Sequence, residues 1–339
     1  MVRFLWCYFF SGSYRIYSGS FNGPTGSWGD PPVVRVPRVQ QTRGRSHGRA
    51  RARGLSACLK IRGVDDMNMP KCGAARIPAI GLGTYKLKGD DAYEMVLAAL
   101  DEGYRHIDTA QFYENEAEIG RALRDSEIVR SEVFVTTKIM PEHFEPAAFR
   151  AAVEKSLDSF GMEYVDLLLL HWPSKTVPVA ETLGVLAELI DEGLVTNGGV
   201  SNFTIPLLEE VVATVRKPIA VNQIELHPFI DQRRLIAKCS QLGIPVAAFS
   251  PLAQGRVIDD PVLGEIGRNH GVSAAQISLA WILAQPDGIA VPKTGSPRRL
   301  GANLDATRIE LSSDEMARID RLSLQHLRLI EPEELAPSW

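Results

Sequence analysis

In the stretch HIDTAQFYENE, residues 106–116, an acid that ends a short apolar run, Asp108, stands five residues before a phenol, Tyr113. Alone this pair does little, because an unperturbed phenol ionises near a pKa of about 10. A fixed cation beside it makes it a usable proton donor. Lys138, closing VFVTTK, is the candidate cation, and Asp108 would keep it charged and oriented. His171, closing YVDLLLLH, could hydrogen-bond a substrate oxygen and set it against the Tyr113 hydroxyl. There is no Cys–His pair, no metal-ligand cluster and no G-x-S-x-G elbow in the chain. An acid poised over a carbonyl oxygen, with no protein nucleophile, suits reduction by a hydride donor bound alongside.

Each residue also has a plainer reading. Asp108 before Thr109 suits a turn or cap, and His171 suits a satisfied core histidine. Tyr113 beside Phe112 suits a packed surface aromatic, and Ser201 and Asn202 suit caps of the helix after Thr204. Lys138, between Thr137 and Ile139, is harder to dismiss, because an ammonium is almost never buried without a partner. Convergence on one face of one fold would separate the two sets of readings.

The elements that must position these groups follow from periodicity. Short β-branched or apolar runs at 80–84, 105–108, 133–138, 164–171, 198–201, 219–225, 245–250 and 289–293 read as strands. Amphipathic segments at 91–102, 116–125, 146–160, 180–192, 205–215, 231–242 and 273–284, then 298–306, read as helices between and after them. Gly103, Gly161, Gly193 and Gly243 sit just past four of these. Eight parallel strands, each followed by a helix, over about 250 residues predict an α/β fold of the (β/α)8 TIM-barrel type. A doubly wound dinucleotide sheet is the rival, but Gly81, Gly83 and Lys86 supply only the first two glycines of G-x-G-x-x-G. One more helix, over 312–322, follows with Ser312 or Ser313 as its cap and Glu315 in its first turn. In such a barrel the chemistry sits at the C-terminal strand ends. Polar residues gather there: Asp108, Lys138, His171, Ser201 and Asn202, Gln223, Ser250, and Lys293 with Thr294.

Composition bounds the function. The 339 residues are 45% hydrophobic, enough for a large core, and the net charge of −4 hides an asymmetry. Residues 1–66 hold 11 Lys and Arg against 3 Asp and Glu, leaving 26 against 38 in the remainder. The acidic body argues against a nucleic-acid partner, which needs a clustered basic face. The leader, rich in Arg, Gly, Ser and Pro, reads as a basic disordered extension, an upstream addition to a domain over 67–339 that starts near Met67 or Met69. Its apolar patch, 4–10, is too short to span a bilayer, so no membrane partner is expected. Cys7, Cys58, Cys72 and Cys239 show neither disulfide nor zinc spacing, which points to a reducing, cytoplasmic setting and no metal.

The motifs GLGTYKL, HIDTAQFYENE, VFVTTKI, DLLLLHWP, GVSNF, NQIELHP and VPKT, in this order, resemble the aldo-keto reductases over residues 77–339. The resemblance implies a catalytic tetrad of Asp108, Tyr113, Lys138 and His171, with Tyr113 the general acid. It implies NADPH, its carboxamide held by Ser201, Asn202 and Gln223. It further implies cofactor contacts from Phe249, Ser250 and Leu252, a 2′-phosphate site at Lys293, Thr294 and Arg299, and Asn303 near the adenine. Three positions depart from the family pattern. Phe249 replaces the usual stacking tyrosine, Gly198 replaces a usual Ile in the fifth strand, and Ala302 replaces a usual adenine-contacting Glu. Within the family, SKTVP, SNFTIPLLEEV and IEPEELAPSW look most like the bacterial 2,5-diketo-D-gluconate reductase B group. That implies a monomer reducing small aldehydes and ketones such as methylglyoxal, 2,5-diketo-D-gluconate or similar keto sugars. Tyr85, Phe112, His143 and Trp172 are candidates to line its pocket, Trp172 being equally suited to structural packing. Two alternatives stay open: a catalytically weak NADP-binding regulatory subunit resembling potassium-channel β subunits, and a phosphate-binding barrel isomerase or lyase.

Overall fold

The computed structural model describes residues 3–10, 13–20 and 71–339. Contacts separate a first unit, Met1–Lys60, from a second, Ile61–Trp339. In the first, β1 (Arg3–Phe10) pairs antiparallel with β2 (Ser13–Ser20), Arg3 opposite Ser20 and Phe10 opposite Ser13. Both runs carry aromatic and β-branched residues, which favour extended backbone. The expectation of a disordered extension falls, for the rest of 1–66, outside the described residues.

The second unit opens with a small antiparallel pair, β3 (Lys71–Cys72) and β4 (Ile77–Pro78). Eight parallel strands follow: β5 (Leu82–Gly83), β6 (His106–Asp108), β7 (Phe134–Ile139), β8 (Val165–Leu170), β9 (Val195–Ser201), β10 (Asn222–Glu225), β11 (Val246–Phe249) and β12 (Gly288–Ala290). They pair in chain order, and the sheet closes on itself where Ile80 bridges Ala290 and Gly83 bridges Lys293. Sequential order with closure is the (β/α)8 barrel and excludes the doubly wound rival. The first strand is shorter than expected because Ile80 pairs singly across the closure instead of extending a ladder.

Helices α1 (Gly89–Glu102), α2 (Glu116–Asp125), α3 (Pro146–Phe160), α4 (Val179–Asp191), α5 (Ile205–Thr214) and α6 (Arg233–Gln241) follow β5 to β10. The helices α1 and α3 stop at Gly103 and Gly161, both in the left-handed region that costs glycine least. Between β11 and β12 lie two helices where one was expected: α7 (Pro261–His270) and α8 (Ala274–Leu283). The missed α7 carries its own start signal, Asp260, whose carboxylate accepts the Val262 and Leu263 N–H groups at 2.9 Å each. Its short apolar stripe of Leu263 and Ile266 left the periodicity weak. After β12 come α9 (Leu300–Asp305) and α10 (Ser313–Asp320), the latter opened by the expected Ser312–Glu315 capping box.

Side-chain parity along the strands places the site. Cys72, Ile77 and Ala79 pack with Leu167, Leu169, Val221, Ala247 and Ile289 in one cluster, so β3–β4 plugs the N-terminal end of the barrel interior. Each fully buried aliphatic side chain there contributes about 1.5–3 kcal/mol. Alternate residues on the same strands, such as Val135, Ile139, Leu168 and Leu170, join the larger cluster under the helices. Two-residue periodicity then aims Asp108, Lys138, His171 and Gln223 into the interior above the apolar plug.

Candidate active site

Lys138 is fully buried on β7, and its ammonium is compensated from the neighbouring strand. Its Nζ donates to Asp108 Oδ1 at 2.6 Å and to the Thr109 carbonyl at 2.7 Å. Gln223 Nε2, from across the barrel on β10, donates to the other Asp108 oxygen at 2.7 Å. Burial alone would pull the Lys138 pKa down, but the Asp108 charge and the Tyr113 phenol outweigh it and the net direction is upward. The cation therefore persists at neutral pH.

Tyr113 closes a short 3-10 turn, Gln111–Tyr113, above β6. Its ring centroid lies 5.1 Å from Lys138 Nζ, 5.8 Å from the His171 ring in an edge-on arrangement, and 5.0 Å from the Tyr85 ring. Burial raises the phenol above its ordinary pKa, opposed by the Lys138 charge and reinforced by Asp108. The expected lowering by Lys138 is thus present but smaller than desolvation, and the hydroxyl is held protonated. His171 is buried and held well below its usual pKa by desolvation and by Lys138, so it is neutral. Its Nδ1 is buried without a hydrogen-bond partner among the described residues. The plain readings of Asp108 as a cap and of His171 as a satisfied core histidine do not describe this arrangement, because four polar groups converge on one end of one barrel.

Sequence reasoning missed what holds the Tyr113 turn. Asn115, fully buried, donates from Nδ2 to the Thr84 and Leu87 carbonyls at 3.0 Å each and accepts from Thr109 Oγ1 at 2.6 Å. It thereby ties the β5–α1 loop, which carries Tyr85, to the turn. Lys88 Nζ adds a bond to the Tyr113 carbonyl at 2.7 Å. The signal was an Asn at the N-cap of α2 whose side chain makes no capping bond.

The residues expected to hold a nicotinamide cofactor fit such a group in one telling respect. Asn202, at the end of β9 with φ of 65°, donates from Nδ2 to Ser201 Oγ and the His171 carbonyl, both at 3.1 Å. Its Oδ1 is buried with no partner, an acceptor in want of an N–H such as a carboxamide provides. Ser201 Oγ donates to the Gln223 carbonyl at 2.9 Å, and Gln223 itself is engaged with Asp108. Phe249, Ser250 and Leu252 are half-buried at and after the end of β11. Lys293 and Arg299 are exposed cations after β12, Thr294 is buried and bonded to Ser296, Asn303 is buried, and Ala302 is exposed.

Of the expected pocket residues, Tyr85 (47% exposed) and Phe112 (59% exposed) flank Tyr113. His143 is exposed on the turn after β7, and Trp172 is buried directly after His171. Neither makes a ring or hydrogen-bond contact with Asp108, Tyr113 or Lys138 among the described residues. Also among these residues, no His, Cys, Asp and Glu group could hold a metal ion, and no helix is long and apolar enough to cross a membrane.

Residues 79–324 match the profile of the aldo/keto reductase family. The chain is 40% identical over 266 residues to a methylglyoxal reductase, DkgB, of Escherichia coli O157:H7, covering 78% of this chain and 99% of that protein. It is 38% identical over 260 residues to a glyoxal reductase of Bacillus subtilis strain 168, covering 76% and 94%. A crystal structure assigned to a 2,5-diketo-D-gluconic acid reductase B superimposes with a TM-score of 0.78 at 39% identity, covering 81% of this chain and 99% of that one.

Proposed function

The chain belongs to the aldo/keto reductase family, and on that premise we propose that it reduces small aldehydes and α-keto carbonyls to alcohols with NADPH. It is an oxidoreductase acting on carbonyls; the cofactor and the substrate class are the proposal. The observation that carries the mechanism is the buried chain from Gln223 through Asp108 to Lys138 beneath a protonated Tyr113. Bound NADPH supplies the hydride that adds to the carbonyl carbon.

The chain's own residues handle the oxygen and the proton. A carbonyl oxygen held by the neutral His171 imidazole and the Tyr113 hydroxyl takes its proton from Tyr113 as the C–O double bond becomes single. The phenolate left behind lies beside the Lys138 ammonium, which Asp108 keeps charged, and regains a proton from solvent. Asn202 Oδ1 would accept from the carboxamide, Phe249 would present an apolar face to the ring, and Lys293 and Arg299 would face the 2′-phosphate, which favours NADP over NAD. The mouth between Tyr85 and Phe112 is aromatic and open, suited to small carbonyls such as methylglyoxal and keto sugars. We further propose that it acts as a monomer in the cytoplasm.

The test follows NADPH absorbance with methylglyoxal and a panel of keto sugars, comparing wild type with Tyr113→Phe. Turnover should fall by about 10²–10⁴ in the variant while NADPH still binds. Tight NADPH binding without turnover of any carbonyl would favour the regulatory-subunit reading. Equal turnover in Tyr113→Phe would remove Tyr113 as the acid.

A further inference from the structure

NQIELHP contributes Gln223 to the site, yet its most deeply buried ionisable residues are two others. Glu225, at the C-terminal end of β10, and His227 are both fully buried. Glu225 Oε1 accepts the Leu329 N–H at 2.8 Å and lies 3.0 Å from His227 Nε2, and its Oε2 accepts the Ile330 N–H at 3.0 Å. His227 Nδ1 accepts the Phe229 N–H at 3.3 Å, so Nε2 carries the ring proton and donates it to Glu225. A buried carboxylate survives only when such donors replace water. Two of the three donors come from a segment more than 100 residues later in the chain.

That segment has no helix or strand after Gln325. It is tied down at three points: the Leu327 N–H to the Phe229 carbonyl at 2.8 Å, Glu225, and Lys175 Nζ to the Glu333 carbonyl at 3.4 Å. Phe229 and Glu225 belong to the C-terminal side of β10, and Lys175 to the loop after β8 that begins at His171. The tail therefore runs along the C-terminal rim of the barrel from β10 to β8, past β9, which ends in Ser201 just before Asn202. Arg328 stacks on the Trp339 ring at 3.6 Å, folding the tail's end back on itself.

We propose that Glu225 is a positioning residue that straps segment 327–330 along the rim of the barrel mouth, and so sets how tightly a carbonyl substrate is held without touching it. The proposal rests on the carbonyl-reductase reading for its kinetic consequence and on the Glu225 bonds to Leu329 and Ile330 for the strap. Three full-length variants test it: Glu225→Gln, Ile330→Pro, which deletes the N–H that Oε2 accepts, and their combination. The readouts are KM and kcat for methylglyoxal, the NADPH dissociation constant from fluorescence, and amide hydrogen exchange over 327–331. Each single change should raise KM by about five- to tenfold, leave kcat and NADPH affinity within about twofold, and release the exchange protection. The combination should add nothing further, because both changes open one latch.

Retained protection in Glu225→Gln would overturn the strap. Lost protection with unchanged KM would overturn its reach to the substrate. A joint loss of kcat and NADPH affinity would show Glu225 acting through Gln223 on the same strand and overturn the proposal. If wild type turns over no carbonyl, the reductase reading falls and takes the KM claim with it, while exchange still decides the strap. Ile330→Pro leaves the barrel strands untouched and serves where Glu225→Gln does not fold.

Discussion

Removing one partner of the Asp108–Lys138 pair should cost more stability than removing both. Their side chains are 5% and 0% exposed, with Nζ and Oδ1 2.6 Å apart. In Asp108→Asn the ammonium keeps the Thr109 carbonyl, at 2.7 Å, but loses the carboxylate charge that compensates it. Its escape is to lose a proton, which for an ordinary lysine at pH 7 costs about 4.6 kcal/mol and caps the damage. In Lys138→Met the carboxylate keeps Gln223, at 2.7 Å, and its escape by protonation is capped at about 4.2 kcal/mol. Both caps agree with the roughly 3–5 kcal/mol typical of breaking a buried pair. At about 2–4 °C per kcal/mol for a domain of this size, each single variant should melt roughly 6–20 °C lower. The double variant buries no unpaired charge and should be no less stable than the worse single. Thermal and urea unfolding at pH 7 read the stabilities, and NADPH oxidation reads turnover, which all three variants should lack. The Lys138 pKa is raised in the fold, so its contribution is fully present below the unfolded pKa of about 10.4 and fades above the folded one. The Asp108→Asn deficit should accordingly shrink as pH rises toward that range. Single losses under about 1 kcal/mol, or a double loss equal to their sum, would refute the reasoning.

Four further outcomes are expected. His106 and His171 are both held below their usual pKa by burial, so the unfolded chain binds protons that the fold does not. Stability should fall below pH 6.5 by about 1.4 kcal/mol per pH unit for each histidine, read as urea midpoints at pH 7.5, 6.5 and 5.5, with a flat profile against it. Gly198→Ala should stabilise by about 0.5–1 kcal/mol, because its methyl would touch Ile190 Cδ1 at 3.5 Å and displace only the end of Leu186, 2.7 Å away, which a small cavity lined by Leu183, Leu186 and Ile190 gives room to shift. By contrast Gly120→Ala, whose methyl would fall 1.9 Å from the Phe160 carbonyl oxygen, should cost several times that, and melting curves for the two should move in opposite directions. Replacing Lys293 and Arg299 by Ala should raise KM for NADPH by about tenfold or more and leave NADH nearly unaffected; equal changes for both would place the 2′-phosphate elsewhere.

The barrel was legible in the sequence because strands buried on both faces and helices buried on one leave different periodicities, and eight alternations leave little choice of architecture. Asp108, Lys138 and His171 were legible because each is a polar residue ending an apolar run, where burial demands a partner. What escaped was whatever depends on two distant segments meeting. Helix α7 hid behind a weak apolar stripe. Asn115 stands at the cap position of α2, but its side chain bonds across a loop to residues 28 and 31 positions away. The Tyr113 pKa direction could not be read from its neighbour Lys138, since burial, a property of the closed fold, is the larger influence.

The sequence by itself determined the strand count, the gathering of Asp108, Lys138, His171 and Gln223 at the strand ends, and the family motifs. Those are local, because periodicity and turn chemistry act over a few residues. Only the tertiary structure decided that Gln223 reaches Asp108 from 115 positions away, that Asn202 keeps a buried acceptor free, and that Glu225 is hydrogen-bonded by the far end of the chain. A buried polar group is defined by its partners, and partners that closure of a barrel brings together are not neighbours in the chain.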